Sequence, residues 1–125
     1  MTTRQRRTVG IVIFGDVEVL DFCGPFEVFS VVRPVGVHDD EARLFDAVTV
    51  AETASIVSAR HGLRVKPDHT LKDHPPLDIL VVPGGRGTRK EMRNEVLLAW
   101  IRAQDSHTDH QRLHRSLFAG GTSGS

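Results

Sequence analysis

Two apolar runs in this chain carry almost no polar alternation. Thr8-Val9-Gly10-Ile11-Val12-Ile13-Phe14 is rich in β-branched residues, and Ile79-Leu80-Val81-Val82 is apolar throughout. Such runs predict strands covered on both faces, as in a parallel α/β sheet. The first run reads as a central strand ended by Gly15-Asp16, and the second is stopped by Pro83-Gly84-Gly85. Phe45 to Ala51 alternates in part and predicts a third strand, while Ile56–Ala59 and Leu63–Val65 flank His61-Gly62 as a small hairpin with Pro67 near an edge.

Helical spacing appears twice. Pro25 suits the first turn of a helix whose apolar positions are Phe26, Phe29 and Val32, ending before Pro34. Asn94 to Gln104 places Val96, Leu97, Trp100 and Ile101 on one stripe, with Asn94 as N-cap. Residues 33–43 read as a surface loop, and His69 to Pro76 as a connector. From Asp105 to Ser125 there is neither a strand run nor a sustained amphipathic helix, so residues 105–125 are expected to form an irregular, disordered tail. The order predicts an α/β fold, a three-layer sandwich with a largely parallel sheet.

Composition narrows the function classes. The chain's 125 residues, 39% of them hydrophobic, suit one domain with a real core. Sixteen basic and sixteen acidic side chains cancel, so no global field draws nucleic acid or an anionic membrane. Arg4, Arg6 and Arg7 form a basic cluster that reads as a solvated terminal tail over residues 1–8, without the apolar stretch of a secretory signal. No apolar run reaches the length of a membrane span. The single cysteine, Cys23, excludes an internal disulfide framework and fits a cytoplasmic location.

The candidate chemistry sits at two places. Gly84 and Gly85, at the carboxyl end of a strand, either free backbone N–H groups to face a ligand or make a tight strand-to-helix turn. Asp21 reads from its position as a helix-start carboxylate bonded to nearby backbone N–H groups. Cys23, ahead of Gly24-Pro25, reads as a small half-buried thiol. His107, His110 and His114, with Asp109 nearby, have i, i+3, i+7 spacing that on one helix would present metal ligands; without an apolar face to anchor that helix, no metal site is expected.

Three motifs in order resemble the start of the ThiJ/PfpI superfamily, which has the class I glutamine amidotransferase-like fold. They are Val9-Gly10-Ile11-Val12-Ile13-Phe14, then Leu20-Asp21-Phe22-Cys23-Gly24-Pro25-Phe26-Glu27-Val28-Phe29, then Leu77-Asp78-Ile79-Leu80-Val81-Val82-Pro83-Gly84-Gly85. Leu-Asp followed by a residue pair and Gly-Pro most resembles isocyanide hydratase and the amino-terminal domains of AraC-type transcription regulators. The resemblance covers residues 9–104. It implies that Asp21 is a general acid/base beside a nucleophilic cysteine, that the Gly85 N–H stabilises an oxyanion, and that Gly84 allows the turn, so that Gly84 and Gly85 bind substrate. Glu27 is an ordinary polar position in this subgroup. The resemblance implies a small-molecule partner, no cofactor, no direct nucleic acid contact without a helix-turn-helix region, and compatibility with a homodimer.

One expected feature is missing. In the family, the element after the helix ending near Gln104 is a strand running into a Cys-Thr-Gly elbow, and no such sequence follows here. Yet His110-Gln111-Arg112-Leu113-His114-Arg115-Ser116, read one base later, can encode Thr-Ser-Val-Cys-Thr-Gly. The expectation is a truncated or frame-shifted domain that resembles isocyanide hydratase but is inactive as written. The alternative is a ligand sensor related to AraC-type regulators. Loss of a central strand predicts a marginal fold unless the tail or another subunit covers the gap.

Overall fold

The computed structural model of the protein describes residues 6–83, 94–107 and 113–115. Among these residues five strands form one sheet in the order β5-β2-β1-β6-β7, and every pairing in it is parallel. The strands are β1 (Arg7–Val12), β2 (Phe45–Ala51), β5 (His69–Thr70), β6 (Ile79–Val82) and β7 (Leu113–Arg115). A separate antiparallel pair, β3 (Val57–Ser58) and β4 (Arg64–Val65), makes the expected hairpin around His61-Gly62. The helices are α1 (Val19–Val31) and α2 (Glu95–His107). The α/β class and the parallel sheet are as the apolar runs imply.

Strand β1 is central because both of its faces are covered. Val9, Ile11 and Val12 have no exposure at all, and Ile13 beyond the strand end has 1%. It pairs with β2 from Arg7↔Phe45 to Val12↔Val50 and with β6 from Val9↔Ile79 to Ile11↔Val81. Gly10 is glycine because Leu77 lies against it: a Cβ there would come within 2.7 Å of Leu77 Cδ1. Side chains at the strand starts fix register. Thr8 N–H donates to Asp78 Oδ2 (2.8 Å) while Asp78 N–H donates to Thr8 C=O (2.9 Å). Asp68, just before β5, ties that strand to β2, its Oδ2 accepting from Thr49 N–H (2.9 Å) and its own N–H donating to Thr49 Oγ1 (2.9 Å).

The expected first turn at Pro25 is corrected: α1 begins at Val19, and Pro25 lies inside it. Packing outweighs the proline, since Phe22 is buried in the core on one side of Pro25 and Phe29 meets Phe45 edge-on at 5.1 Å on the other. The cost is local, because Pro25 has no N–H to give the Asp21 carbonyl. Phe26, expected on the apolar stripe, is exposed. Within the 33–43 loop, Asp40–Ala42 form one turn of 3₁₀ helix.

Asn94 does cap α2, its Oδ1 accepting from Leu97 N–H (3.2 Å), while its Nδ2 donates to Glu52 Oε1 (2.7 Å) just past β2. The connector is fastened to α2 where Trp100 Nε1–H donates to His74 Nε2 (3.1 Å). His74 therefore carries its proton on Nδ1, which faces Pro75 C=O at 2.7 Å.

Two further expectations are revised. The connector from His69 begins with strand β5, whose pairing with β2 spans only Val50↔His69 and Ala51↔Thr70. The segment from Asp105 is not wholly irregular: α2 continues to His107, and Leu113–Arg115 pair in parallel with Leu80–Val82. The tail thus supplies a strand for the edge of β6, satisfying backbone groups that would otherwise be unpaired.

Two outcomes are expected from these contacts. Leu77→Ala alone costs about 2–5 kcal/mol and Gly10→Ala alone about 1–3 kcal/mol in urea unfolding. The double variant costs less than their sum by about 1 kcal/mol, and strict additivity would contradict the contact. Deleting residues 108–125 bares the edge of β6, so the shortened protein aggregates faster than the parent when light scattering is followed at equal concentration.

Candidate functional site

Asp21 stands in the first turn of α1, and the fold buries it to 6% exposure. Its backbone N–H donates to Glu18 C=O (3.1 Å). Its Oδ2 is buried without a hydrogen-bond partner, which does not match a carboxylate held by backbone N–H groups at a helix start. Burial pushes its pKa up, and the negative charge of Glu18 adds to the rise. Both effects make the anion less favourable here than on an exposed aspartate.

A groove of about 490 Å³ opens on the same helix, lined by Leu20, Asp21, Gly24, Pro25, Val28 and Phe29. Every lining side chain except Asp21 is uncharged and apolar or absent. Asp21 is therefore its polar feature, and the Asp21 carbonyl freed by Pro25 lies in the same turn. A smaller cavity of about 210 Å³ lies at the carboxyl ends of β1 and β2, between Phe14, Gly15, Glu52, Thr53 and Ile56. Parallel sheets receive ligands at that edge.

Cys23 is half-buried against the core, and burial pushes its thiol pKa up, which opposes thiolate formation. It has the character of a packing residue. Glu27 is exposed, as an ordinary polar position should be. Gly84 and Gly85 lie outside the described residues, which on this strand end at Pro83; Pro83 itself is fully buried. The three-histidine helix does not form, because His107 closes α2 and His114 belongs to β7; His110 and Asp109 lie outside the described residues. Among the described residues no three His, Cys, Asp or Glu side chains converge to hold a metal ion.

Sequence reading overlooked Glu18 and Arg60. Glu18 is the N-cap residue of α1, three positions before Asp21, and its Oε1 lies 3.8 Å from Arg60 Nε. The i, i+3 spacing of two acids was a visible signal for Glu18. Nothing in the sequence marks Arg60, which reaches this place only through the hairpin.

The DJ-1/PfpI family profile matches residues 7–111. Isonitrile hydratase of Pseudomonas putida is 34% identical over 96 residues, which is 77% of this chain and 38% of the hydratase. Among solved structures, a ThiJ/PfpI family protein from Pseudomonas syringae matches with a TM-score of 0.68 at 20% identity, over 82% of this chain and 39% of that one. A two-domain protein from Anabaena variabilis with DJ-1/ThiJ/PfpI-like and ferritin-like domains matches with a TM-score of 0.59 at 19% identity, over 82% and 27%. These structural likenesses show the fold, and the chain spans well under half the length of each relative. With a profile match that takes in β1, α1 and β6, the chain belongs to the DJ-1/PfpI family.

Proposed function

We propose that this chain contributes the proton-handling part of an isonitrile hydratase-like site, isonitrile being another name for isocyanide. The observation that carries the reading is the Asp21 carboxyl, buried with its Oδ2 unpartnered, on a residue that lines an apolar groove. Hydration of an isonitrile adds one water: oxygen and one hydrogen go to the terminal carbon, and the other hydrogen goes to nitrogen, giving an N-formamide. A carboxyl that keeps its proton to higher pH than an ordinary aspartate can deliver one of these hydrogens, and the carboxylate left behind can take one from water. The Gly85 N–H, after β6, is proposed to stabilise negative charge during the addition, with Gly84 allowing the turn.

The step that bonds to carbon calls for a thiolate, and these 125 residues contain only Cys23. We therefore propose that the chain as written does not turn over an isonitrile, and that its reading frame shifts between about Gln104 and His110, leaving an out-of-frame tail. A homodimer would cover the exposed Val31 of α1. A cytoplasmic location suits a single free thiol. A second reading, a sensor related to AraC-type regulators, is favoured by the same apolar groove beside an acid that lacks a reactive thiol.

Sequencing through the codons for Gln104 to Ser125 and onward is expected to find Cys-Thr-Gly codons in the alternate frame. The frame-restored protein then converts an isonitrile to its N-formamide, and Asp21→Asn abolishes this. No such codons, or a restored protein without formamide production, would reject the hydratase reading; saturable isonitrile binding without turnover would favour the sensor.

A stability measurement follows from the raised pKa of Asp21. A carboxyl that prefers its proton in the folded state contributes stability fully below the ordinary aspartate value and loses it as pH rises through the folded value. Asp21→Asn has no such loss. The two proteins are expected to be nearly equal in stability at the acid end, with the variant ahead by about 1 kcal/mol at neutral pH. Urea unfolding across pH checks it; a parent more stable than the variant at neutral pH would contradict it.

A further inference from the structure

Two backbone hydrogen bonds hold the hairpin against the segment leading into α1. Asp16 N–H donates to Ser58 C=O (2.9 Å), and Arg60 N–H donates to Val17 C=O (2.9 Å). Between them the chain turns through Phe14–Val17, closed by Val17 N–H donating to Phe14 C=O (3.0 Å) with Asp16 at φ 65°. This seam sets the Arg60 guanidinium 3.8 Å from the Glu18 carboxylate, with both side chains only partly exposed. Glu18 makes no side-chain cap hydrogen bond to α1, so capping does not account for its carboxylate.

The position of this pair has a consequence for Asp21. Glu18 lies one turn before it, its C=O accepting from Asp21 N–H (3.1 Å), and its negative charge adds to the rise that burial gives the Asp21 pKa. The other residues around the groove, Leu20, Gly24, Pro25, Val28 and Phe29, carry no charge. The hydrophobic core, which includes Val17 and Phe22, carries no charge either, and the titratable Cys23 packs against it. Arg60 pairs with Glu18 at 3.8 Å, so its positive charge offsets that of Glu18.

We propose that Glu18 and Arg60 are positioning residues for Asp21, an ion pair at the mouth of α1 that governs how firmly the acid keeps its proton. This rests on the reading of Asp21 as the proton-handling group of the site. The hairpin thereby has a part in the chemistry, because its seam with residues 16 and 17 carries Arg60 to Glu18. Neither residue need touch substrate.

The test is a carbon-13 titration of the Asp21 side-chain carboxyl by NMR in the 125-residue protein and its variants. Glu18→Gln removes the opposing charge and lowers the midpoint by about half a pH unit, whereas Arg60→Gln leaves Glu18 unopposed and raises it by a similar amount. Arg60→Lys keeps the charge and returns the midpoint to within about 0.2 unit of the parent. A loosened helix would not move the midpoint in opposite directions for the two variants. Should Arg60→Gln lose its folded amide spectrum, the Glu18→Gln shift alone decides. Midpoints unmoved in both variants, or moved in the same direction, would overturn the proposal. The titration uses no isonitrile, so it stands or falls apart from the turnover assay that tests the hydratase reading.

Discussion

The parallel pairing of β1 on both of its edges is the constraint from which the rest of the structure follows. A strand flanked by β2 and β6 and covered on both faces must be apolar at nearly every position, and Val9, Ile11 and Val12 meet that demand with no exposure. Burial on that scale sets the direction in which the chain leaves the sheet. Past Ile13 it turns at Gly15-Asp16 and enters α1, and past Val82 it reaches Pro83. The reciprocal hydrogen bonds of Asp78 with Thr8 hold the register that aligns these two exits.

On that frame the first turn of α1 carries an arrangement that stability alone would not select. A carboxyl buried to 6% with an unpartnered oxygen costs free energy, and an apolar residue of similar size would remove the cost. The neighbouring Glu18 makes ionisation harder still. Features that break a local rule in this way are expected where a site does its chemistry. Asp21 is also the residue whose carbonyl loses its helical donor to Pro25, in the turn that lines the groove with Leu20, Val28 and Phe29.

Much of the frame was legible in the sequence because burial on two faces writes itself as unbroken apolar runs. The bounds of β2 and β6 follow from their runs alone, and Asn94 marks the start of α2 through its own side-chain hydrogen bond. The start of α1 was not legible, because Pro25 is a strong local signal for a first turn and only the packing of Phe22 and Phe29 outweighs it. Strands β5 and β7 are too short to show a period and exist by pairing with β2 and β6. Asp21 stood out through its motif, whereas its orphan oxygen and its partnership with Glu18 and Arg60 are tertiary facts. Arg60 belongs to a hairpin whose place beside α1 depends on backbone hydrogen bonds that no side-chain pattern encodes.

The central claim is that the Asp21 carboxyl presents its proton to a ligand in the groove of α1. The most direct measurement is the infrared N≡C stretch of an isonitrile with a compact apolar substituent, added to the 125-residue protein below the Asp21 titration midpoint. The account predicts a bound band displaced from that of the free isonitrile, as hydrogen bonding to its terminal carbon requires, with the displacement absent in Asp21→Ala. A band that keeps the same displacement in Asp21→Ala, or that never departs from the free value, would contradict it.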